Sequence, residues 1–140
     1  MPDAIDKTVK VLVVDDYPLT RDMVKSILRQ LGFLNIASAE DGAMALHMLR
    51  EERFGLVICD WNMPRLSGLA VLREVRAEER NKDLPFLMLT AEAYKENVVE
   101  AMKAGVSGYI VKPFTSQILS EKVTKVLKEA QGVSTAAPSE

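Results

Sequence analysis

The sequence has little that would staple, anchor or metallate it through soft ligands. One cysteine, Cys59, allows no intramolecular disulfide and no cysteine-rich zinc site. One histidine, His47, excludes a multi-histidine metal centre. No apolar run approaches the roughly 20 residues that a bilayer-spanning helix needs. The opening MPDAIDKTVK lacks the apolar stretch of a secretory signal. There is no basic excess either: 18 Lys and Arg stand against 20 Asp and Glu, for a net charge of −2. Nothing therefore marks a nucleic-acid binder or a membrane protein, and a reducing cytoplasm is the expected compartment. What is present is 140 residues, 48% hydrophobic and 27% charged. That is globular composition, sufficient for one domain that buries about two-thirds of its unfolded surface.

The hydrophobic period switches along the chain. Val11 to Val14 is a short β-branched run that stops at Asp15-Asp16. Leu19, Met23, Ile27, Leu28 and Leu31 follow at helical spacing, with Pro18 suited to a first turn and Gly32 to a C-terminal stop. Leu34 to Ser38 is a weak second strand, and Asp41-Gly42 opens a second helix. Leu56 to Cys59 is a third strand, ending on Asp60. Ser67 is an N-cap for the third helix, built on Leu69, Leu72 and Val75, which gives way to a polar stretch from Glu78 to Asp83. Pro85 to Leu89 is a fourth strand, ending on Thr90; a fourth helix runs from about Tyr94 to Ala104 and stops at Gly105. Gly108 to Val111 is a fifth strand, ending on Lys112-Pro113, and Thr115 caps a last helix, with Phe114 and Leu119 as a hydrophobic staple. The expected division is an N-terminal extension over 1–8, one domain over 9–131 and a flexible tail over 132–140.

Five strand-then-helix units call for a parallel sheet covered on both faces. The expected fold is α/β: a flavodoxin-like (βα)5 doubly wound sheet of five strands in the order 2-1-3-4-5, with the weak second strand at an edge. In such a sheet ligands bind at the carboxyl ends of the strands. The residues there are Asp15 and Asp16, Asp60, Thr90 and Lys112. Two carboxylates about 4 Å apart repel by roughly 4 kcal/mol at an effective dielectric near 20. Three need counter-charge. Lys112 supplies part of it, and a hard divalent cation such as Mg²⁺, which accepts carboxylates and keeps several waters, fits the remainder. A neutralised Asp60 is then a candidate nucleophile toward phosphorus, with Lys112 and the Thr90 hydroxyl positioned to meet phosphoryl oxygens.

Asp15-Asp16, Asp60, Thr90 and Lys112-Pro113 at these strand ends resemble the response-regulator receiver domain of two-component signalling, over nearly the whole chain. Asp60-Trp61-Asn62-Met63-Pro64, Thr90-Ala91-Glu92-Ala93, Lys95-Glu96-Asn97 and Gly108-Tyr109-Ile110-Val111-Lys112-Pro113-Phe114 are similar to the single-domain chemotaxis members of that family. The resemblance implies that Asp60 accepts a phosphoryl group from a sensor histidine kinase. It implies that Asp15, Asp16, Asp60 and the backbone carbonyl of Asn62 hold Mg²⁺, and that Thr90 and Lys112 bind the phosphoryl oxygens. Tyr109 becomes the switch aromatic, and Asn62 and Glu92 tune the lifetime of the acyl phosphate. The output face falls on Ala93, Lys95, Val98, Met102, Tyr109 and Lys122, and in the chemotaxis group it binds the flagellar motor switch protein. The resemblance also implies a cis Lys112–Pro113 bond, a dedicated phosphatase as a further partner, and a monomer that turns over no external metabolite.

Other assignments are weaker. Asp15-Asp16 alone reads as helix N-terminal charge; the register with Asp60, Thr90 and Lys112 argues against that. An aspartyl-phosphate hydrolase places its nucleophile and acid two residues apart on one strand, yet two residues after Asp60 stands Asn62. A flavin carrier needs an uncharged phosphate loop after the first strand, where this chain has Asp15-Asp16. No DNA-binding output is expected, since little chain follows the fifth helix. Cys59 is expected as an inert buried thiol, His47 at the surface, Trp61 near the site rim and the methionines as core filler.

Overall fold

The computed structural model describes residues 5–91 and 95–133, with the side chain of Lys95 outside that description. Its elements in chain order are β1 (Val11–Val14), α1 (Pro18–Leu31), β2 (Ile36–Ala39), α2 (Gly42–Glu51), β3 (Leu56–Asp60), α3 (Gly68–Ala77), β4 (Phe86–Thr90), α4 (Lys95–Lys103), β5 (Gly108–Val111) and α5 (Ser116–Ala130). Every strand pairs in parallel, in the expected order β2-β1-β3-β4-β5.

Strand side chains alternate between faces, and each face has its own apolar layer. Leu12, Val14, Val57, Cys59, Phe86 and Met88 pack with the inner sides of α2 and α3. Val11, Val13, Leu56, Ile58, Leu87 and Leu89 pack with those of α1 and α5. β1, β3 and β4 are buried along their whole length, whereas β2 is mostly half-buried, as an edge strand is.

Local chemistry sets the helix ends. Asp41, Ser67 and Thr115 each accept a hydrogen bond from the backbone N–H three residues on, at 2.7, 3.2 and 3.1 Å. α1 starts on Pro18 and ends on Gly32, whose φ of 106° lies in the left-handed region that glycine tolerates. The described part of the expected N-terminal extension is tied down: the Gln131 side chain accepts from the Asp6 N–H and donates to the Asp6 carbonyl.

Two expectations need correction, those for the second strand and for the methionines, and the polar stretch after α3 gains structure. Strand pairing on the second strand begins at Ile36, two residues after Leu34, which is 86% exposed; the chain turns inward at buried Phe33, and Asn35 joins the sheet only through its carbonyl, which accepts from Val11 N–H. The polar stretch contains a 3-10 turn, Glu79–Asn81, whose buried Asn81 donates to the Leu49 carbonyl at the end of α2. The methionines divide: Met63 and Met88 are buried, while Met23, Met44 and Met102 are exposed.

Candidate functional site

The chain leaves β1 toward β2 on one side and returns to β3 on the other, so the sheet order reverses at β1/β3. Helices diverge there and leave a crevice at the strand ends. Asp15 follows β1 directly, Asp60 is the last residue of β3, and Lys112 follows β5. Their backbones are held by the sheet. Asp15 N–H donates to Ala39 O at 3.2 Å, and Lys112 N–H donates to Thr90 O at 2.7 Å. The Lys112–Pro113 bond is cis. Beneath Asp60, α3 begins almost in contact with the strand: a Cβ on Gly68 would lie 2.4 Å from the Asp60 carbonyl oxygen. Only glycine fits that approach.

The side chains converge as the strand ends do. One carboxylate oxygen from each of Asp15, Asp16 and Asp60 lies within 4.8 Å of the others. Lys112 Nζ stands 2.7 Å from Asp60 Oδ1 and 3.3 Å from Asp15 Oδ2. Asp15 and Asp60 are buried and Asp16 is exposed. The cleft they form, about 220 Å³, is lined further by Tyr17, Thr20, Asn62 and Ala91. A larger hollow of about 350 Å³ runs along α5, but among the described residues the three aspartates form the only cluster of this kind.

Burial raises the Asp60 carboxyl above its ordinary value; the Lys112 hydrogen bond opposes this and the Asp15 charge adds to it. For Lys112, burial alone would lower the ammonium, but its hydrogen bond and ion pair with Asp60, reinforced by Asp15, outweigh burial and raise it. Three carboxylates therefore face one firmly charged ammonium, an excess of two negative charges. All three offer hard oxygen donors, so a Mg²⁺ ion fits both the charge and the chemistry of the donor set. Cys59 is no competitor. Burial, then the charges of Asp60 and Asp15, push its thiol well above its ordinary value.

Asp15, Asp16, Asp60, Lys112 and Asn62 thus meet in one cleft. Thr90 is fully buried at the end of β4, one residue before the cleft-lining Ala91. The half-buried Tyr109 ring meets Trp61 edge-on, with centroids 6.3 Å apart and planes at 67°. Val98 and Met102 lie on α4 and Lys122 on α5, away from the cleft; Met102 is 68% exposed. Glu92 and Ala93 lie outside the described residues, as does the Lys95 side chain. Sequence reasoning missed Thr20 as a lining residue. Its signal is its position four residues after Asp16, where the first turn of α1 faces back toward the strand end.

The response regulator receiver domain model matches residues 11–124. The chain is 50% identical over 123 residues to the chemotaxis protein CheY of Pseudomonas aeruginosa, covering 88% of this chain and 99% of that protein. Among solved structures it is similar to the chemotaxis protein CheY4 of Vibrio cholerae, with a TM-score of 0.81 and 37% identity over 86% of this chain and 99% of that one. It is also similar to the receiver domain of a Pseudomonas aeruginosa sensor histidine kinase, with a TM-score of 0.76 and 28% identity over 89% and 98% of the two chains. That receiver has a magnesium ion coordinated in its active-site cleft.

Proposed function

The chain belongs to the response regulator receiver family, and from that premise we propose that it is a chemotaxis response regulator which takes a phosphoryl group onto Asp60 from the phosphohistidine of a sensor kinase. The observation that carries this is the convergence of Asp15, Asp16 and Asp60 with Lys112 at the strand ends. The chemotaxis assignment is supported by the half-identical chemotaxis protein, nearly all of which this chain covers.

Asp60 attacks phosphorus, an O–P bond forms as the donor's P–N bond breaks, and the departing imidazole keeps the electron pair and takes up a proton. Lys112, already donating to Asp60 Oδ1, meets the developing charge on the phosphoryl oxygens, and the Thr90 hydroxyl donates to another. Asp15, Asp16, Asp60 and the Asn62 carbonyl would hold Mg²⁺, and the ion would supply positive charge to offset the carboxylates and the phosphoryl oxygens. A related receiver with magnesium in its cleft supports that assignment. The new group adds about −1.5 to −2 charge at one point. Thr90 moves to meet it, and Tyr109 fills or leaves the space behind, since a packed interior favours discrete states. The output face around Val98, Met102, Tyr109 and Lys122, with Ala93 and Lys95, then binds the flagellar motor switch. Asn62 and Glu92 tune the lifetime of the acyl phosphate.

The functional unit is taken as 9–131, which encloses the family match. No helix among the described residues is long and apolar enough to cross a membrane. A monomer acting in the cytoplasm between kinase, phosphatase and motor completes the proposal. It turns over no metabolite beyond its own acyl phosphate.

Labelling with phosphoramidate tests the assignment. The wild-type chain is expected to take up one phosphoryl group in the presence of Mg²⁺, and Asp60→Asn none. Normal labelling of Asp60→Asn overturns the nucleophile, and sustained turnover of small phosphate esters indicates a hydrolase instead. Phosphorylated protein is expected to bind an isolated flagellar switch protein more tightly than unphosphorylated protein; equal binding overturns the motor output.

A further inference from the structure

Asp15 has every polar group engaged. Its N–H donates to Ala39 O at 3.2 Å. Oδ1 accepts from the Tyr17 N–H at 2.8 Å, and Oδ2 from Lys112 Nζ at 3.3 Å. The remaining carbonyl accepts from Arg21 Nη1 at 2.6 Å. Sheet, turn and ion pair account for three of these partners. The fourth is a half-buried side chain one turn into α1.

The way α1 begins explains what Arg21 does there. The helices α2, α3 and α5 are each fastened to the preceding loop by a side-chain cap. The corresponding residue for α1 is Tyr17, which makes no side-chain cap bond, and Pro18 has no N–H to offer. The loop 15–17, which carries two of the three carboxylates, thus lacks the usual tie to its helix. Arg21 supplies one in the opposite sense, reaching back from the helix to the loop. A guanidinium beside acids ordinarily pairs with a carboxylate. Among the described residues Arg21 makes no such pair. Its bond to a main-chain oxygen uses up no carboxylate oxygen that a cation would need.

We propose that Arg21 is a positioning residue for the cation site, fixing through the Asp15 carbonyl the direction in which Asp15 and Asp16 leave β1. This rests on the assignment of those aspartates to Mg²⁺. Loss of an outer partner of a metal ligand typically weakens metal affinity by about 10–100-fold.

The test titrates Mg²⁺ into wild type, Arg21→Ala and Arg21→Lys by calorimetry and by Trp61 emission, with thermal midpoints measured in chelator. Arg21→Ala is expected to bind Mg²⁺ about tenfold more weakly, and Arg21→Lys to recover most of the loss because it restores a donor. A lowered midpoint with unchanged Mg²⁺ affinity assigns Arg21 a structural role only and overturns the proposal. So does an Arg21→Lys variant no better than Arg21→Ala. If Arg21→Ala does not fold, Arg21→Gln replaces it under the same two criteria. A wild-type chain that binds no Mg²⁺ overturns the metal assignment itself, a result distinct from failure of the Arg21 role.

Discussion

At the residue scale, the charge of Asp60 contributes to how stability depends on pH. Its carboxyl is raised above the ordinary 3.8, burial being the largest cause. Between the unfolded and folded values the native chain holds a proton that the unfolded chain has released. The resulting stability is fully present below the unfolded value and is lost as pH rises through the folded one. Chemical denaturation in chelator is expected to show this fall just above the ordinary carboxylate range, and Asp60→Asn to flatten it; an unchanged slope in that variant contradicts the assignment. Lys112 is raised too, so its contribution is lost only on the alkaline side. Lys112→Arg is expected to keep Mg²⁺ binding yet lose phosphorylation-dependent binding to the motor switch, because a planar guanidinium does not replace a compact ammonium 2.7 Å from Asp60. Wild-type output from Lys112→Arg removes it as a phosphoryl contact. Asp15, Asp16, Asp60 and Lys112 were legible in the sequence because each stands where an apolar run stops, and strand ends are where this topology places ligands. Arg21 was not, because it sits on a helix and acts through a backbone atom that sequence patterns do not reveal.

At the scale of elements, the close packing of α3 on β3 makes its own prediction. Gly68→Ala would place a methyl 2.4 Å from the Asp60 carbonyl oxygen and 2.9 Å from Trp61 Cα. Backbone does not yield as a flexible side chain does, so thermal unfolding is expected to show a loss of at least about 1–3 kcal/mol and phosphorylation to slow as Asp60 shifts. A tolerated alanine with normal phosphorylation refutes this. Asn81→Ala is expected to cost about 1–3 kcal/mol by stripping the Leu49 carbonyl of its buried donor. Helix starts were legible where Asp41, Ser67 and Thr115 supplied the cap. The β2 boundary and the 3-10 turn were not: Leu34 looks like a strand residue but faces solvent, and Asn81 looks like a loop residue but is buried. Residue type announces neither, since both depend on what the rest of the chain lays against them.

At the scale of the whole molecule, cation binding and folding are one equilibrium. An ion that binds the assembled cleft and not the unfolded chain adds about 2.7 kcal/mol at 100 times its dissociation constant. The thermal midpoint is expected to rise with Mg²⁺, and to rise much less in Asp16→Asn; equal shifts exclude Asp16 from the site. The strand order was legible because alternating strands and helices with right-handed crossovers leave few arrangements. The cleft it creates also has a direction in time. Asp15, Asp16 and Asp60 precede Lys112 in the chain, and Lys112 directly follows the edge strand β5. A nascent chain therefore displays its acids without their partner. The acids gain their ammonium partner only once the residue that follows β5 has emerged.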